Sequence, residues 1–135
     1  MFPRRHKYNA KKHKVEVDGV EYEFSSKLEA DRYVYLKGRE NRGEISDLDV
    51  QPRFMLQDKF KAGKKAIRAI HYIADFIYLE EDQVVVEDTK GFKTPDYKLK
   101  MKLFLNTYQN IVFIEVGKKR KEFVEVAYDR RDTVG

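Results

Sequence analysis

Alternating apolar and polar residues flank an Asp-Gly pair near the start of the chain. The alternation runs from Val15 to Phe24, with Asp18-Gly19 at its centre. Asp-Gly favours the tight two-residue turn of a β-hairpin, in which both central residues take positive φ. The pattern therefore predicts a β-hairpin over 15–24.

A helix is predicted directly after this hairpin. Ser25 or Ser26 can cap its first turn, and Glu29 follows at the spacing of a capping box. Gly43 is the expected C-terminal stop, so the helix should run to about Arg42.

Three strands are predicted in the middle of the chain. The first alternates over 50–56, where Pro52 favours an edge position or a strand start. A basic turn over 59–68 leads to the second strand, 70–79, which is apolar on both faces and therefore expected to be central and buried. The third strand covers 84–90.

A second helix is predicted to begin at Thr94-Pro95-Asp96, with Thr as cap, Pro in the first turn and an acid near the positive end of the dipole. Leu99 and Leu103 form a second apolar strip, so the helix should be covered on two sides. Its main apolar stripe has five members: Tyr97, Met101, Phe104, Leu105 and Tyr108.

Two further strands are predicted over 111–116 and 123–127, with a basic turn at 118–121 between them. Hairpin, helix, three strands, helix and two strands predict one mixed α/β domain over 15–135. Residues 1–14 contain six Lys or Arg and no acid, and are expected to form a basic flexible arm.

The charge and cysteine content narrow the function classes. The 135 residues carry 28 Lys and Arg against 23 Asp and Glu, a net charge of +5. A basic chain favours a polyanionic partner, although charge alone does not choose among DNA, RNA and an anionic membrane. The absence of cysteine excludes disulfides, Cys-ligated zinc and thiolate catalysis. No apolar run is long enough to span a bilayer and no secretory signal is recognisable, so a cytoplasmic location without membrane partners is expected.

Two acidic positions are costly unless they have a chemical role. Asp75 interrupts the apolar strand predicted over 70–79, and a buried carboxylate must be paired, bound to metal or protonated. On the next strand, alternation places Asp88 and Lys90 on one face and Glu87 on the other. If the two strands are neighbours, Asp75, Asp88 and Lys90 converge.

Such a cluster suits metal-assisted hydrolysis. Carboxylate ligands without His or Cys suit Mg²⁺ or Mn²⁺, which can generate hydroxide and stabilise an in-line displacement at phosphate. Lys90 can steady the attacking water or the phosphate charge. The alternative is that Asp75 or Asp88 forms a buried ion pair with Lys90 that only holds the sheet together.

A helix acid, then Asp75, then Asp88-x-Lys90, set in this order of helices and strands, resembles the PD-(D/E)XK nuclease superfamily. The chain from about residue 7 to 116 also resembles a family of small phage and prophage proteins, usually described as of unknown function or as phage endonucleases. That resemblance rests on six short motifs: Lys7-Tyr8-Asn9-Ala10-Lys11, Phe24-Ser25-Ser26-Lys27-Leu28-Glu29-Ala30, Gly43-Glu44-Ile45-Ser46-Asp47-Leu48, Gln51-Pro52-x-Phe54-x-Leu56, Tyr72-Ile73-Ala74-Asp75-Phe76 and Val86-Glu87-Asp88-Thr89-Lys90-Gly91.

The resemblance implies a restriction-endonuclease-like core, with a mixed sheet flanked by helices, and a role for each matching residue. Asp75 matches the acid of the "PD" element, with Ala74 where the motif has Pro, and Asp88 and Lys90 match (D/E)XK. By the same resemblance, Glu29 on the first helix is an additional acid that belongs to both the catalytic set and the metal ligands. The carbonyl of Thr89 is a further metal ligand, and Glu87 replaces Asp88 as a ligand if the strand contains a bulge.

The function implied is that of a divalent-metal-dependent phage DNA endonuclease in the host cytoplasm. Analogy with fold relatives favours a homodimer that acts on branched DNA, like a Holliday-junction resolvase. The rival hypothesis is a non-catalytic nucleic-acid-binding module of nuclease fold in phage recombination or packaging. Phosphate contacts are expected from six basic residues, for which solubility is the alternative role: Lys64, Lys65, Arg68, Lys93, Lys98 and Lys102.

Overall fold

The computed structural model describes residues 12–90 and 93–129. These residues form eleven strands and two helices. The strands are β1 (His13–Val17), β2 (Val20–Phe24), β3 (Ser46–Val50), β4 (Arg53–Gln57), β5 (Phe60–Ala62), β6 (Lys65–Ile67), β7 (Ile70–Ile73), β8 (Phe76–Glu80), β9 (Gln83–Thr89), β10 (Ile111–Lys119) and β11 (Glu122–Tyr128); the helices are α1 (Lys27–Asn41) and α2 (Pro95–Thr107).

The central sheet has five strands in the order β11-β10-β9-β8-β3. β9 and β10 are parallel, and the other neighbouring pairs are antiparallel. Three two-stranded pairs lie outside it: β1 with β2, β4 with β7, and β5 with β6. The predicted mixed α/β class, the mixed sheet and the N-terminal hairpin are confirmed.

The sheet is covered on both faces by separate apolar clusters. Val85 packs with Tyr33 of α1 and with the β1–β2 hairpin on one face. Its neighbour Val86 packs with Phe104 of α2, with Phe113 of β10 and with the β4–β7 pair on the other. Successive strand residues point to opposite faces, so β9 is buried on both. The result is three layers with the sheet in the middle.

Local signals position the hairpin and both helices as predicted. Asp18 and Gly19 have φ of 52° and 81°, as the tight hairpin turn requires. The side chains of Ser26 and Thr94 cap α1 and α2, each accepting from the backbone N–H three residues later at 3.1 Å. α1 ends just before Gly43, which has φ of 79°.

Two predicted strands are wrong because both bend at the same place. The 50–56 prediction spans the end of β3 and most of β4, and 70–79 is divided into β7 and β8. At the bend Gln51 has φ of 54° and donates its N–H to the Asp75 carbonyl at 2.8 Å, while the Ala74 N–H donates to the Pro52 carbonyl at 3.1 Å. The paired strands therefore leave the central sheet and continue as the β4–β7 pair.

The bend changes the expected burial of this segment. Asp75 lies between two strands and is half-buried, not enclosed within one. Ile73 of β7 is 55% exposed, so β7 is not covered on both faces. α2 is likewise covered on one side only, because Leu99 and Leu103 are 58% and 39% exposed. The prediction of a second covered strip is therefore wrong.

The basic segments also differ from prediction. Within 59–68 the chain forms the β5–β6 hairpin around Gly63, which has φ of 66°. β10 extends to Lys119, which shortens the last turn. Of the predicted arm, 1–11 lies outside the described residues, and His13–Val17 forms β1. No helix in the described part of the chain is long and apolar enough to cross a membrane.

Candidate functional site

Asp75 is held against the last residue of β9. Its Oδ2 accepts two hydrogen bonds of 2.7 Å from Thr89, one from the backbone N–H and one from the hydroxyl. The N–H and C=O of one strand residue point to the same side of the strand. The Thr89 carbonyl therefore faces the same edge as the Asp75 carboxylate.

Asp88 is buried where its charge is poorly compensated. Tyr72 donates its hydroxyl proton to Oδ2, and Lys90 Nζ lies 3.2 Å from Oδ1. That ion pair lacks hydrogen-bond geometry, so Oδ1 is a buried oxygen without a hydrogen bond. Burial and the nearby charge of Asp75 raise the pKa of Asp88 to about 8. The fold thus keeps an acid in a place that disfavours its ionised form.

Lys90 lies between Asp88 and an aromatic ring. Its Nζ is 4.8 Å from the centroid of the Tyr97 ring, within the range of a cation–π interaction. The Tyr97 hydroxyl donates to Glu115 Oε2 at 2.6 Å, and Glu115 is the residue on β10 that lies beside Asp88. α2 and β10 therefore fix the ring on which the ammonium rests.

Glu29 enters the same region from the first turn of α1. Its side chain is buried, and Ser25 donates its hydroxyl proton to Glu29 Oε1 at 2.7 Å. Burial raises the pKa of Glu29, and the charge of Asp75 raises it further. Because Asp75 raises the pKa of both Glu29 and Asp88, it is the central member of the three carboxylates.

Glu87, the alternative acid, lies on the opposite face of β9. Both of its carboxylate oxygens bind the guanidinium of Arg32, at 2.7 and 2.8 Å, and Tyr78 donates its hydroxyl proton as well. Arg32 also reaches Glu125 at 2.7 Å. The structure brings Asp75, Asp88, Lys90 and Glu29 together, and it places Glu87 in a structural ion pair instead.

A cleft of about 240 Å³ opens beside Asp88 and Lys90. Tyr72 and Tyr97 belong to the core cluster on this face, as the apolar pattern indicated, but sequence reasoning missed their hydroxyl contacts to Asp88 and Glu115. It also missed Lys100, which lines the cleft from α2. Lys100 follows Tyr97 by three residues, so helical spacing alone could have placed it on the same face.

The predicted phosphate contacts are spread over the surface, and none lines this cleft. Lys93 borders a neighbouring cavity together with Lys90, and its Nζ lies 3.2 Å from Glu115 Oε1. The other five are exposed, on or beside the β5–β6 hairpin and on the open side of α2: Lys64, Lys65, Arg68, Lys98 and Lys102.

The donor atoms of this cluster fit a hydrated hard cation. Within 12–90 and 93–129, no three or more Asp, Glu, His or Cys side chains are arranged as a ready metal cage. Mg²⁺ does not require one, since it commonly binds one or two carboxylates and keeps several waters. Asp75, Asp88 and the Thr89 carbonyl supply oxygen donors, and the unbonded Asp88 Oδ1 is the atom that a cation would satisfy.

Residues 5–123 match the family described as "Protein of unknown function (DUF1064)". No curated protein matches the chain. A solved structure similar to it is that of SSO0001, with 18% sequence identity and a TM-score of 0.47, covering 76% of this chain. The match covers 48% of SSO0001, so the chain spans about half the length of that protein. The family match extends over most of the sequence, and the chain therefore belongs to the DUF1064 family.

Proposed function

We propose that the chain is a divalent-metal-dependent nuclease of the PD-(D/E)XK type that hydrolyses phosphodiester bonds in DNA. One observation carries the proposal: Asp75, Asp88 and Lys90 converge, and the buried Asp88 Oδ1 has no hydrogen bond. Lys90 compensates part of the Asp88 charge but leaves Oδ1 without a hydrogen bond, and the Asp75 carboxylate adds a second negative charge beside it. A divalent cation would compensate both carboxylates, which fits a cation site better than a structural bridge.

Each residue of the site has a part in this chemistry. Asp75, Asp88 and the Thr89 carbonyl would hold Mg²⁺ or Mn²⁺, with Glu29 beside them to accept hydrogen bonds from surrounding waters. When bound, such a cation activates water and neutralises charge on the phosphate. Lys90, held against the Tyr97 ring, orients the attacking water or stabilises the phosphorane charge.

Lys100 extends the site toward the substrate. It lines the cleft beside Asp88 and Lys90, where a cation can bind a phosphate that flanks the scissile one. Asp96 lies 3.9 Å from its Nζ, a separation that leaves the ammonium free to turn toward a phosphate.

DNA as the substrate is supported by the net charge of +5 and by the exposed lysines on α2 and the β5–β6 hairpin. The motif resemblance supports a phage or prophage origin and action in the host cytoplasm, and analogy with fold relatives supports a homodimer that cuts branched DNA. Sedimentation equilibrium tests the dimer, and a monomer at all concentrations would contradict it.

The test is a cleavage assay on labelled four-way junction, flap, single-stranded and linear duplex DNA, with Mg²⁺, Mn²⁺ or EDTA. Asp75→Asn and Lys90→Ala should lose at least about 100-fold in rate, a loss typical of removing transition-state stabilisation. Asp82→Asn is the matched control, because it removes one negative charge in the exposed β8–β9 turn.

The pattern of cutting decides among the hypotheses. Metal-dependent cutting that both site variants lose supports the nuclease, and preference for the four-way junction supports the resolvase-like role. Cutting in EDTA, or cutting that survives in both variants, contradicts the assigned site. Tight binding with no cutting of any substrate supports the non-catalytic binding module instead.

A further inference from the structure

The β5–β6 hairpin projects from the fold. Every residue from 57 to 66 is exposed, and within the described chain the two strands pair only with each other. The hairpin joins β4 to β7, and β7 carries His71 and Ile73, which line the cleft beside Asp88. It is thus attached next to the candidate site without contributing to either apolar cluster.

The hairpin carries positive charge that no ion pair neutralises within the described part of the chain. Five cations lie on it or directly beside it: Lys59, Lys61, Lys64, Lys65 and Arg68. None of them forms an ion pair with any residue in the described ranges 12–90 and 93–129. The nearby acid Asp58 instead accepts a 2.7 Å hydrogen bond from the backbone N–H of Lys59.

The shape of the hairpin fits a groove of duplex DNA. Its strands pair Phe60 with Ile67, Lys61 with Ala66 and Ala62 with Lys65, giving a ribbon about 10 Å long at the usual strand rise. The major groove of B-DNA is about 12 Å wide and about 8.5 Å deep, and it admits a two-stranded ribbon. The major groove of A-form RNA is too deep and narrow for side chains to enter.

We propose that the β5–β6 hairpin enters the major groove of duplex DNA and binds phosphates on both sides through its lysines. Ala62 and Ala66 lie on opposite faces of the ribbon, so each face has one small side chain, while Lys64 and Lys65 at the tip reach the backbone. The contacts are to phosphate, so they hold the duplex beside the cleft irrespective of its sequence. The choice of DNA as partner rests on the proposed function.

The first test compares two double variants with the same charge loss, both in EDTA so that no cleavage takes place. Lys64→Gln with Lys65→Gln removes the tip charges. Lys119→Gln with Lys121→Gln removes two charges that are likewise unpaired among the described residues, at the β10–β11 turn. The equilibrium constant for a labelled linear duplex is measured against salt concentration. The tip variant should bind more weakly, and the magnitude of its slope of log K against log salt should fall by about 2. The control variant should keep the affinity and the slope of the wild type.

The second test identifies the groove. Dimethyl sulfate methylates guanine N7 in the major groove and adenine N3 in the minor groove. Wild-type protein should protect guanine N7 over a short tract, and the tip variant should lose that protection. Protection of adenine N3 alone, equal weakening by both double variants, or equal binding of double-stranded RNA each overturns the proposal.

The two proposals fail separately, because binding in EDTA is independent of cutting. A wild-type protein that cuts DNA while the tip variant binds as tightly as wild type removes only the hairpin inference. A protein that cuts nothing but binds duplex DNA through its hairpin removes only the nuclease.

Discussion

At the scale of single residues, Asp88 combines burial, a neighbouring carboxylate and an oxygen without a hydrogen bond. These features oppose its ionised form, so we expect Asp88 to lower the stability of the protein in the absence of a bound cation. Replacing a strained functional residue commonly stabilises a protein at the expense of activity. Asp88→Asn keeps the oxygen that accepts from Tyr72 and removes the repulsion from Asp75.

We expect Asp88→Asn to raise the free energy of unfolding in EDTA at pH 7 by about 1 kcal/mol. Mg²⁺ at about 100 times its dissociation constant should stabilise the wild type by about 2.7 kcal/mol and the variant much less. Thermal unfolding followed by circular dichroism measures both. A variant less stable than wild type, or a wild type indifferent to Mg²⁺, contradicts the cation site, and Asp82→Asn serves as the control.

The second prediction at this scale concerns Tyr97, which touches Lys90 through its ring. Tyr97→Phe keeps the ring, whereas Tyr97→Leu removes the cation–π contact, worth about 1 to 2 kcal/mol at a desolvated site. Leu should therefore lower kcat about tenfold with KM unchanged, and Phe should restore most of it. Equal loss in both variants would show that the hydroxyl bond to Glu115, and not the ring, positions the lysine.

At the scale of elements, the Arg32–Glu87 pair ties α1 to β9, and Glu125 ties the same guanidinium to β11. Breaking a buried pair leaves a charge uncompensated, which commonly costs about 3 to 5 kcal/mol. Glu87→Gln should cost about 3 kcal/mol in urea unfolding, because Glu125 still compensates part of the Arg32 charge. Mg²⁺ should still stabilise Glu87→Gln as much as it stabilises the wild type, whereas it should stabilise Asp88→Asn much less. Loss of that response in Glu87→Gln with stability unchanged would reverse the two roles.

Some elements could be predicted because their determinants are local. The Asp18-Gly19 turn and the Thr94 cap act within a few residues, and both are where the sequence indicated. The bend at Gln51 and Asp75 could not, because apolar residues continue through it and its hydrogen bonds join positions far apart in sequence. The exposed Leu99 had the same helical spacing as a buried residue, and only tertiary structure leaves it uncovered.

In the candidate site, too, local patterns predict some features, and others depend on tertiary structure. Strand alternation was sufficient to place Asp88 beside Lys90 and to send Glu87 the other way. The Tyr72 contact to Asp88 depends on how the β4–β7 pair folds over the sheet, which no local pattern encodes.

At the scale of the whole molecule, the site draws on both outer layers. Glu29 comes from α1 on one face of the sheet, and the Tyr97 ring comes from α2 on the other. Tyrosines report on both layers, since Tyr33 lies in one cluster and Tyr72 in the other, and the chain has no Trp. Tyrosine fluorescence and far-ultraviolet circular dichroism should therefore give one coincident unfolding transition. Two separate midpoints would mean that the layers unfold independently.

Glu87 and Asp88 are adjacent, yet one belongs to the ion pair with Arg32 and the other to the cleft. A one-residue slip of β9 reverses the face of every side chain on the strand. In one direction Arg32 would meet Asp88 while Thr89 filled the cleft position; in the other, Glu87 would fill it while Arg32 met Val86. The first slip would remove the carboxylate from the cleft, and the second would remove the ion pair that stabilises the fold. The two neighbouring acids therefore favour a single register of β9. We expect a single-residue deletion near the β8–β9 turn to preserve both the fold and the cleft only if Glu87 still faces Arg32 and Asp88 still faces the cleft.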